Sequence, residues 1–359
     1  MDYIIEPFLE ALAAEIAIIA EQNPYKQIGT IFFGGGTPTL LLPEQFDKLL
    51  SQIQENFDIV EGAEISTEAN PNDLSVAYLR GIRDVGINRI SIGMQSANKG
   101  ELDLFARRHH HETVIQAVED ARTAGFDNLN LDVMYGFPHQ TLNSWEFSLN
   151  ELIDLNPEHI SMYALGLEAN TAMLAWVEKG LLPTPDDDLA ADMYDLATEM
   201  VKPHGYVQYE ICNWSKPGYM CRHNLQYWRN HPYVGLGPGA HGFAAGVRYA
   251  TILSPRQYIK RLREDAGKYV FPRSPATDVA NLVSWKEEIA ETLIMSLRLT
   301  GEGVKRNDFR QRFGVDVMDL HGEVFQRFTT QGLLEIQTEF IRLTEPGRLL
   351  SNLIFRELV

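Results

Sequence analysis

Short apolar runs alternate with longer amphipathic stretches in the first half of the chain. The runs have strand length, whereas apolar residues in the intervening stretches recur at helical spacing. The runs span 29–33, 63–68, 88–93, 129–134 and 159–165, and clear helical stretches span 42–57 and 112–126. Repeated alternation of strand and helix predicts right-handed crossovers, so we assign the chain to the α/β class with a parallel sheet or barrel.

The pattern loosens after the fifth run. A helical stretch at 186–205 leads into a turn-rich aromatic segment at 209–243, where His223 is expected in a loop. The sequence then becomes helical again and ends in two short β-like runs, LLEIQ and FIRLT. We therefore predict two domains, residues 1–255 with the sheet and the aromatic segment, and residues 256–359 as a helical or winged-helix domain.

Unusual residues stand where the predicted strands end. GGGTP at Gly34–Pro38 follows the first run, and Glu68, Gln95 and Asp132 lie at the ends of the next three. Because the carboxyl ends of parallel strands meet at one edge, these segments are expected to converge on one active face. Three consecutive glycines expose N–H groups to a ligand, although a tight turn before a helix explains the same letters. For the polar residues, contacts to a ribose or an amino group compete with capping or surface positions.

Arg107 and three histidines stand together in FARRHHH. An arginine can clamp a carboxylate with two hydrogen bonds, but taken alone Arg107 is better explained as a solvated surface residue. His109, His110 and His111 suggest a metal site, yet adjacent residues on a helix point in different directions and metal-binding pairs use i, i+4 spacing. We therefore predict no metal site at these histidines.

The segment CRHNLQYW is rich in residues that bind flat aromatic cofactors. His223 is a candidate ligand of haem iron, with Tyr227 and Trp228 packing on the macrocycle. Cys221 is a competing axial thiolate, and His241 in the later GLGPGAHGF loop has no assigned role. From the residues alone, a buried aromatic loop with a hydrogen-bonded histidine explains the segment better.

Composition narrows the class of protein. The 359 residues carry 49 acidic and 31 basic side chains, and the net charge of −18 disfavours nucleic acid and anionic lipid as general partners. No apolar stretch reaches the roughly 18 residues of a membrane span, which leaves only peripheral membrane contact open. The N-terminal segment has no basic region or cleavage site typical of a signal peptide. Two cysteines, Cys212 and Cys221, exclude a disulfide framework and indicate a reducing cytoplasm.

Several motifs occur in an order that is typical of one family. They are IFFGGGTPTLL, TEANP, RISIGMQS, LDVMYGFP, CRHNLQYW and YVGLGPGAHGF. Over essentially its whole length, the chain resembles the HemW-type, oxygen-independent coproporphyrinogen III oxidase-like branch of the radical S-adenosylmethionine (SAM) superfamily. The resemblance implies an incomplete (β/α)6-type barrel that lacks its first strand. It also implies a haem chaperone that binds haem and SAM and delivers haem to acceptor proteins whose identity the sequence does not give.

Two other functions stay open beside the haem chaperone. One is an oxygen-independent coproporphyrinogen III oxidase of porphyrin biosynthesis, and the other is a binding homologue without an iron–sulfur cluster. The HNxxYW element, which contains His223, favours the chaperone over the enzyme. Neither the oligomeric state nor the axial haem ligand follows from the sequence.

The resemblance also implies site residues. The following residues match the SAM pocket of the family: Gly35, Gly36, Thr37, Glu68, Gln95, Arg107 and Asp132. In the family, the glycine loop holds the SAM amino group, with Arg107 on the carboxylate and Gln95 on the ribose. His223 matches the proposed haem site, and Tyr227 and Trp228 belong to the same element.

One departure from the family concerns the [4Fe–4S] cluster. The family's first strand ends in a CxxxCxxC loop that supplies three thiolates, and the chain shows no such loop. Cys212 and Cys221 lie far along the chain and are too few for an ordinary cluster site. We weigh two explanations, an internal methionine of a longer protein as the start, or a natural homologue without the cluster. An upstream reading frame that encodes the cysteine loop would decide between them.

Overall fold

The computed structural model describes residues 4–105, 109–169, 171–264 and 267–359. The backbone divides into two compact units. The first unit comprises Met1–Ile31, Leu41–Glu64 and Arg222–Val359, and the second comprises Phe32–Leu40 and Ile65–Cys221. The domain boundary predicted at residue 255 stays a prediction, because these units combine segments that are distant along the chain.

A seven-stranded sheet contains all five predicted strands. These strands are β1 (Gln27–Phe33), β2 (Asp58–Ala69), β3 (Arg89–Gln95), β4 (Leu129–Tyr135) and β5 (His159–Ala164). The sheet has the order β1-β2-β3-β4-β5-β7-β6, and β2 to β5 pair in parallel. β1 is an edge strand of this sheet, as the missing first strand of the resemblance predicts. The α/β class with parallel strands is thus confirmed.

The other edge of the sheet differs from the prediction of parallel strands alone. β6 (Val207–Glu210) and β7 (Asn213–Ser215) form a hairpin, and β7 pairs antiparallel with β5. Only two residues connect β6 to β7, and a parallel crossover needs a connection of about a dozen or more. The short connection therefore forces an antiparallel pair inside what the sequence presents as a turn-rich segment.

Helices connect the strands, and three of them lie where the sequence predicts helical stretches, at 42–57, 112–126 and 186–205. They are α1 (Ile5–Gln22), α2 (Pro43–Asn56), α3 (Val76–Asp84), α4 (Lys99–Leu104), α5 (His111–Ala124), α6 (Leu142–Asp154), α7 (Ala172–Glu178) and α8 (Asp187–Val201). Local signals set their starts: the Thr141 hydroxyl caps α6 and accepts a hydrogen bond from the backbone of Ser144. The strand faces against these helices are apolar, and β3 and β4 are buried along most of their length.

The remaining elements belong to the first unit. They are α9 (Arg222–Trp228), β8 (His241–Ala244), β9 (Val247–Thr251), α10 (Pro255–Glu264), β10 (Thr277–Leu282), α11 (Trp285–Leu297), β11 (Val304–Lys305), α12 (Arg306–Phe313), α13 (Val317–Thr330), β12 (Leu334–Ile336), β13 (Phe340–Leu343), α14 (Glu345–Leu349) and α15 (Ser351–Phe355). β8 to β10 form one antiparallel sheet, and β11 to β13 form another beside the last helices. Helices beside a small antiparallel sheet agree with the predicted helical or winged-helix character of this segment.

Among the described residues, no helix combines the length and the apolar character that a membrane span requires.

Candidate functional site

The structure brings the glycine loop and Glu68 together in the second unit. The backbone N–H of Gly35 donates a hydrogen bond of 3.1 Å to Oε2 of Glu68. Glu68 is opposite Ser91 of β3, and Gly93 of β3 is opposite Asp132 of β4. Glu68 and Gln95 therefore lie at the carboxyl ends of the neighbouring parallel strands β2 and β3, and Asp132 lies in the middle of β4, the next strand of the sheet. Their roles in binding a ligand stay a prediction.

The glycine loop has a backbone that ordinary residues rarely adopt. Gly35 and Gly36 have φ angles of 77° and 66°, and a Cβ added to either would find no other atom within 4 Å. The loop is exposed, and Thr37 accepts a hydrogen bond from the backbone of Leu40 in a short 3-10 helix that begins at Pro38. The space around the two glycines fits a ligand that approaches the backbone closely, such as the amino acid moiety of SAM.

Gln95 ends β3 in a strained conformation. Its φ angle is 65°, a left-handed value that non-glycine residues seldom adopt, and the ladder to β4 is irregular between Gly93 and Gln95. A Cβ on Gly93 would lie 2.9 Å from Nε2 of Gln95. Backbone strain of this kind concentrates at ligand-binding sites, so the geometry agrees with a pocket role for Gln95.

Burial makes ionisation of both carboxyl groups in this pocket less favourable. Burial raises the pKa of Glu68, the Gly35 N–H opposes this shift, and the negative charge of Asp132 adds to it. Burial also raises the pKa of Asp132, while hydrogen bonds from Ser91, Asn130 and Ser161 and the positive charge of Arg89 oppose the rise. Two carboxyl groups that repel each other electrostatically favour a cationic ligand between them, and the sulfonium and ammonium groups of SAM meet this requirement.

Arg107 lies outside the described residues, so its predicted contact with the SAM carboxylate stays a prediction. Of the neighbouring histidines, His109 is buried and hydrogen-bonds through Nε2 to the carbonyl of Met94, 3.1 Å away. His111 instead pairs with Glu151 at 2.6 Å. Within the described ranges, no group of three or more His, Cys, Asp or Glu side chains is arranged to hold a metal ion.

His223 lies in the first unit, in the first turn of helix α9, and the prediction that it lies in a loop is wrong. The run from Arg222 to Trp228 follows a turn and lies between aromatic residues, so the sequence pattern does not indicate a helix there. Glu64, which is only 6% exposed, accepts hydrogen bonds of 2.9 Å from the backbone N–H groups of both Arg222 and His223. A buried carboxylate therefore fixes the start of the helix that carries the candidate ligand.

Hydroxyl groups hold both ring nitrogens of His223. Nδ1 lies 2.8 Å from the hydroxyl of Thr30 in β1, and Nε2 lies 2.8 Å from the hydroxyl of Tyr227, one turn further along α9. The Tyr227 ring lies edge-on to the His223 ring, and Tyr233 packs edge-on against Tyr227. The imidazole is thus oriented by neutral partners, and binding of a metal through either nitrogen requires one hydroxyl to leave.

The other candidate residues of the haem motif are less available. Cys221 is only 2% exposed, which disfavours it as an axial thiolate. Trp228 lies beneath the guanidinium of Arg298, 4.7 Å from the ring centre, and its buried Nε1 has no hydrogen-bond partner in the described part of the chain. His241 is exposed at the start of β8. His223 is therefore better oriented as a ligand than Cys221 or His241.

The sequence interpretation missed the polar residues behind the pocket. Asn130 alternates with buried apolar residues in β4, in step with the predicted Asp132, and Arg89 and Ser91 alternate with buried apolar residues in β3. A period of two places such residues on one face of a strand, so the spacing was a readable signal of a polar sheet face. Thr30 and Glu64, in contrast, gave no signal, because their contacts to α9 join residues that are more than 150 positions apart.

The chain contains two cysteines, and neither fits the cluster loop that the resemblance implies. Cys221 is buried and Cys212 is partly buried, and a cluster loop of that type requires three thiolates. The residues of this chain therefore fit SAM but do not fit the cluster.

Comparison with known proteins finds the family that the motifs indicate. Residues 5–152 match the radical SAM superfamily, and residues 283–350 match the HemN C-terminal domain. The haem chaperone HemW of Bacillus subtilis is 34% identical over 355 residues, which cover 98% of this chain and 90% of the relative. The mitochondrial radical S-adenosyl methionine domain-containing protein 1 of Danio rerio is 36% identical over 90% of this chain and 75% of its own length.

Among solved structures, coproporphyrinogen III oxidase (HemN) from Escherichia coli, described as a radical SAM enzyme, has a similar fold. Its TM-score is 0.82 at 23% identity, and the match covers 98% of this chain and 82% of that chain. At this identity, the likeness shows the fold alone. It confirms the radical SAM type of α/β fold with a C-terminal domain, as the motifs predict.

Proposed function

The chain belongs to the HemW family of the radical SAM superfamily, and on this premise we propose that it is a haem chaperone that binds haem and SAM and delivers haem to acceptor proteins. Several curated relatives carry the name haem chaperone HemW at 31–35% identity. The single structural observation that supports the proposal best is the orientation of His223 by Thr30 and Tyr227. The acceptors are haem proteins of unidentified sequence, and we propose a cytoplasmic location because the chain has few cysteines.

The geometry favours Nε2 of His223 as the atom that binds haem iron. A histidine ligand usually donates its other ring N–H to a neighbouring oxygen, which fixes the tautomer. Thr30 is β-branched and lies in a strand, so its hydroxyl is the stiffer partner and remains on Nδ1. Tyr227 lies on the same helix as His223 and releases Nε2 by rotation about its own side-chain bonds.

The side chains around His223 suit the rest of the haem molecule. The guanidinium of Arg222 is exposed, and its one described hydrogen bond, 2.6 Å long, goes to the carbonyl of Gly62. An arginine with free donors can pair with a haem propionate. Once released, the ring of Tyr227 is available to cover the macrocycle, and Trp228 borders the same helix end.

For SAM, we propose that the pocket of the second unit acts as a binding site. The glycine loop of Gly35 and Gly36 with Thr37 holds the amino group, Gln95 contacts the ribose, and Arg107 contacts the carboxylate. Glu68 and Asp132 line the pocket and attract the cationic groups. When bound, SAM supplies a positively charged ligand that orders this strand edge. The two cysteines of this chain do not fit an iron–sulfur cluster, so the role proposed for the pocket is SAM binding.

Titration with haemin tests the haem site. We expect that the 359-residue protein binds haemin with a defined Soret band, and that His223→Ala shifts or abolishes this band while the far-UV circular dichroism stays the same. Cys221→Ser and His241→Ala are the controls, since each removes a competing ligand. An unaltered haem spectrum and affinity in His223→Ala would refute His223 as the ligand. The better explanation would then be that this histidine has a structural role.

A further inference from the structure

A buried chain of hydrogen bonds lies behind Asp132 in the second unit. Its members are Asn130, His159 and Tyr209, which are 1%, 0% and 6% exposed. They come from three different strands of the sheet, β4, β5 and β6. Neither the SAM assignment nor the haem assignment uses any of these side chains, so their arrangement needs its own explanation.

The protons in the middle of this chain have one consistent arrangement. Nδ1 of His159 lies 2.6 Å from Oδ1 of Asn130, and a carbonyl oxygen only accepts, so Nδ1 carries the hydrogen. Burial, together with the positive charge of Arg89, lowers the pKa of His159, so the ring is neutral. Nε2 therefore accepts the hydroxyl proton of Tyr209 over 2.8 Å.

The hydrogen bonds at both ends of this network point in the same direction as those in its middle. The amide nitrogen of Asn130 donates to Oδ1 of Asp132 at 2.8 Å and to the hydroxyl of Ser91 at 2.6 Å, and Ser91 donates to Oδ2 of Asp132 at 2.9 Å. At the other end, the oxygen of Tyr209 accepts from the backbone N–H of Cys221 at 3.3 Å. Every bond thus points from Cys221 towards the carboxylate of Asp132, and bonds that point the same way strengthen one another.

We propose that Asn130, His159 and Tyr209 are positioning residues that hold Asp132 in the SAM pocket and link this pocket to the backbone of Cys221. The proposal rests on the proposed role of Asp132 in binding SAM. Cys221 directly precedes Arg222, where α9 begins. SAM binding changes the charge around Asp132. This change therefore alters the polarisation of all the hydrogen bonds in the network and the strength of the last one, from the Cys221 N–H to Tyr209. By linkage, tightening of that last bond also favours SAM.

A purely structural network makes a different prediction. Buried polar groups need hydrogen-bond partners in any case, and removal of one partner lowers stability whether or not a ligand is present. A positioning role also changes SAM affinity and the response of the Cys221 amide, neither of which depends on global stability alone.

The variant Tyr209→Phe tests the positioning role at the end of the hydrogen-bond network that is remote from Asp132. It removes the donor to His159 and the acceptor of the Cys221 N–H and keeps the ring. Tyr206→Phe is a matched control, because Tyr206 is also buried and its hydroxyl donates to the carbonyl of Pro157, which is not part of this hydrogen-bond network. By calorimetry with SAM, we expect Tyr209→Phe to weaken binding about three- to ten-fold, the range of one net hydrogen bond, because only part of the loss of two hydrogen bonds reaches Asp132. Tyr206→Phe should change the affinity less than about two-fold. Equal affinities in wild type and Tyr209→Phe would overturn the link.

Two spectroscopic readouts separate this inference from the SAM assignment itself. Nitrogen NMR of labelled histidine is expected to show His159 as the neutral Nδ1–H tautomer without SAM, and an Nε2–H tautomer would refute the direction of the chain. Hydrogen exchange of the peptide with Cys221 should slow on addition of SAM in the wild type but not in Tyr209→Phe, and the same response in both proteins would count against the link. If the wild type bound no SAM, the assignment of the pocket to SAM would be wrong. The tautomer of His159 would still test the direction of the hydrogen bonds from Cys221 to Asp132.

Discussion

At the scale of single residues, the hydroxyl groups of Thr30 and Tyr227, which lie within hydrogen-bond distance of His223, determine how readily this ring binds iron. In Tyr227→Phe, the competitor for Nε2 is absent, so we expect haemin affinity to rise about two- to ten-fold, the range of one net hydrogen bond. In Thr30→Val, the orienting partner of Nδ1 is absent while the β-branched shape stays, so we expect affinity to fall about ten-fold or more. Soret titrations measure both constants.

A suitable control for this pair is Tyr233→Phe. Tyr233 packs against Tyr227, but its hydroxyl pairs with Arg248 instead of His223, so its removal should leave haemin affinity unchanged. If Tyr227→Phe weakened haemin binding, the hydroxyl of Tyr227 would be a contact of the bound haem, and release of Nε2 by rotation would be the wrong description.

Gly35 offers a second test with single residues. A Cβ at this left-handed position costs roughly 1–2 kcal/mol of stability and would occupy the space that we assign to SAM. Gly205→Ala has a comparable backbone cost, since Gly205 has a φ of 85° with no atom within 4 Å of an added Cβ. We expect similar losses in thermal stability for both, but a loss of SAM affinity of about ten-fold or more, equal to about 1.4 kcal/mol, only for Gly35→Ala. Equal SAM affinities in the two variants would contradict the role of the loop.

At the scale of elements, a buried carboxylate fastens α1 to the rest of the first unit. Glu15, which is 1% exposed, accepts hydrogen bonds from the backbone N–H of Gly237 at 2.9 Å and from the hydroxyls of Tyr258 and Ser274, each at 2.6 Å. Glu15→Ala leaves these buried donors without a partner, so we expect a loss of about 3 kcal/mol or more in the free energy of unfolding. Glu15→Gln retains an acceptor and should lose less than half of this. Denaturant unfolding measures the difference, and equal losses would refute the contact as the cause.

The same carboxyl predicts a pH dependence with a definite sign. Burial raises the pKa of Glu15 above its ordinary value of 4.5, against the three hydrogen bonds that lower it. The folded state therefore binds more protons than the unfolded state between these two pKa values, and the contribution of Glu15 to stability falls as the pH rises through this interval. The stability of the wild type relative to Glu15→Gln should thus be greatest at and below pH 4.5. A difference that does not change with pH would show that the two pKa values are equal.

Elements were predicted well where their signal was local. β1 to β5 and the helices α2, α5 and α8 follow from periodicity, and Glu68, Gln95 and Asp132 lie on three neighbouring parallel strands. The hairpin of β6 and β7 and the helix α9 were missed, because a two-residue turn and a seven-residue helix are too short for a periodic pattern to emerge. The partners of His223 were missed for another reason, since Thr30 and Glu64 are brought to α9 only by the tertiary fold.

At the scale of the whole molecule, the candidate sites belong to different units. The described SAM residues lie in the second unit, and His223 with Thr30, Glu64 and Tyr227 lies in the first. Binding of haem through an imidazole does not require thiolates, whereas radical chemistry on SAM requires an electron from a cluster. We therefore expect that haem binding and SAM cleavage can be separated experimentally in this chain.

These 359 residues should be unable to cleave SAM reductively. After anaerobic reconstitution with iron and sulfide, we expect no stoichiometric 5′-deoxyadenosine, because the two cysteines of the chain cannot supply the three thiolates of the cluster loop. Chromatography of the products with added reductant and SAM measures the yield, and haemin binding by the same preparation, followed at the Soret band, shows that the protein is folded. The double variant Cys212→Ser with Cys221→Ser is the control. A stoichiometric yield that disappears in the double variant would show that these cysteines do hold a cluster, and the proposal of a chaperone without cluster chemistry in this chain would then be wrong.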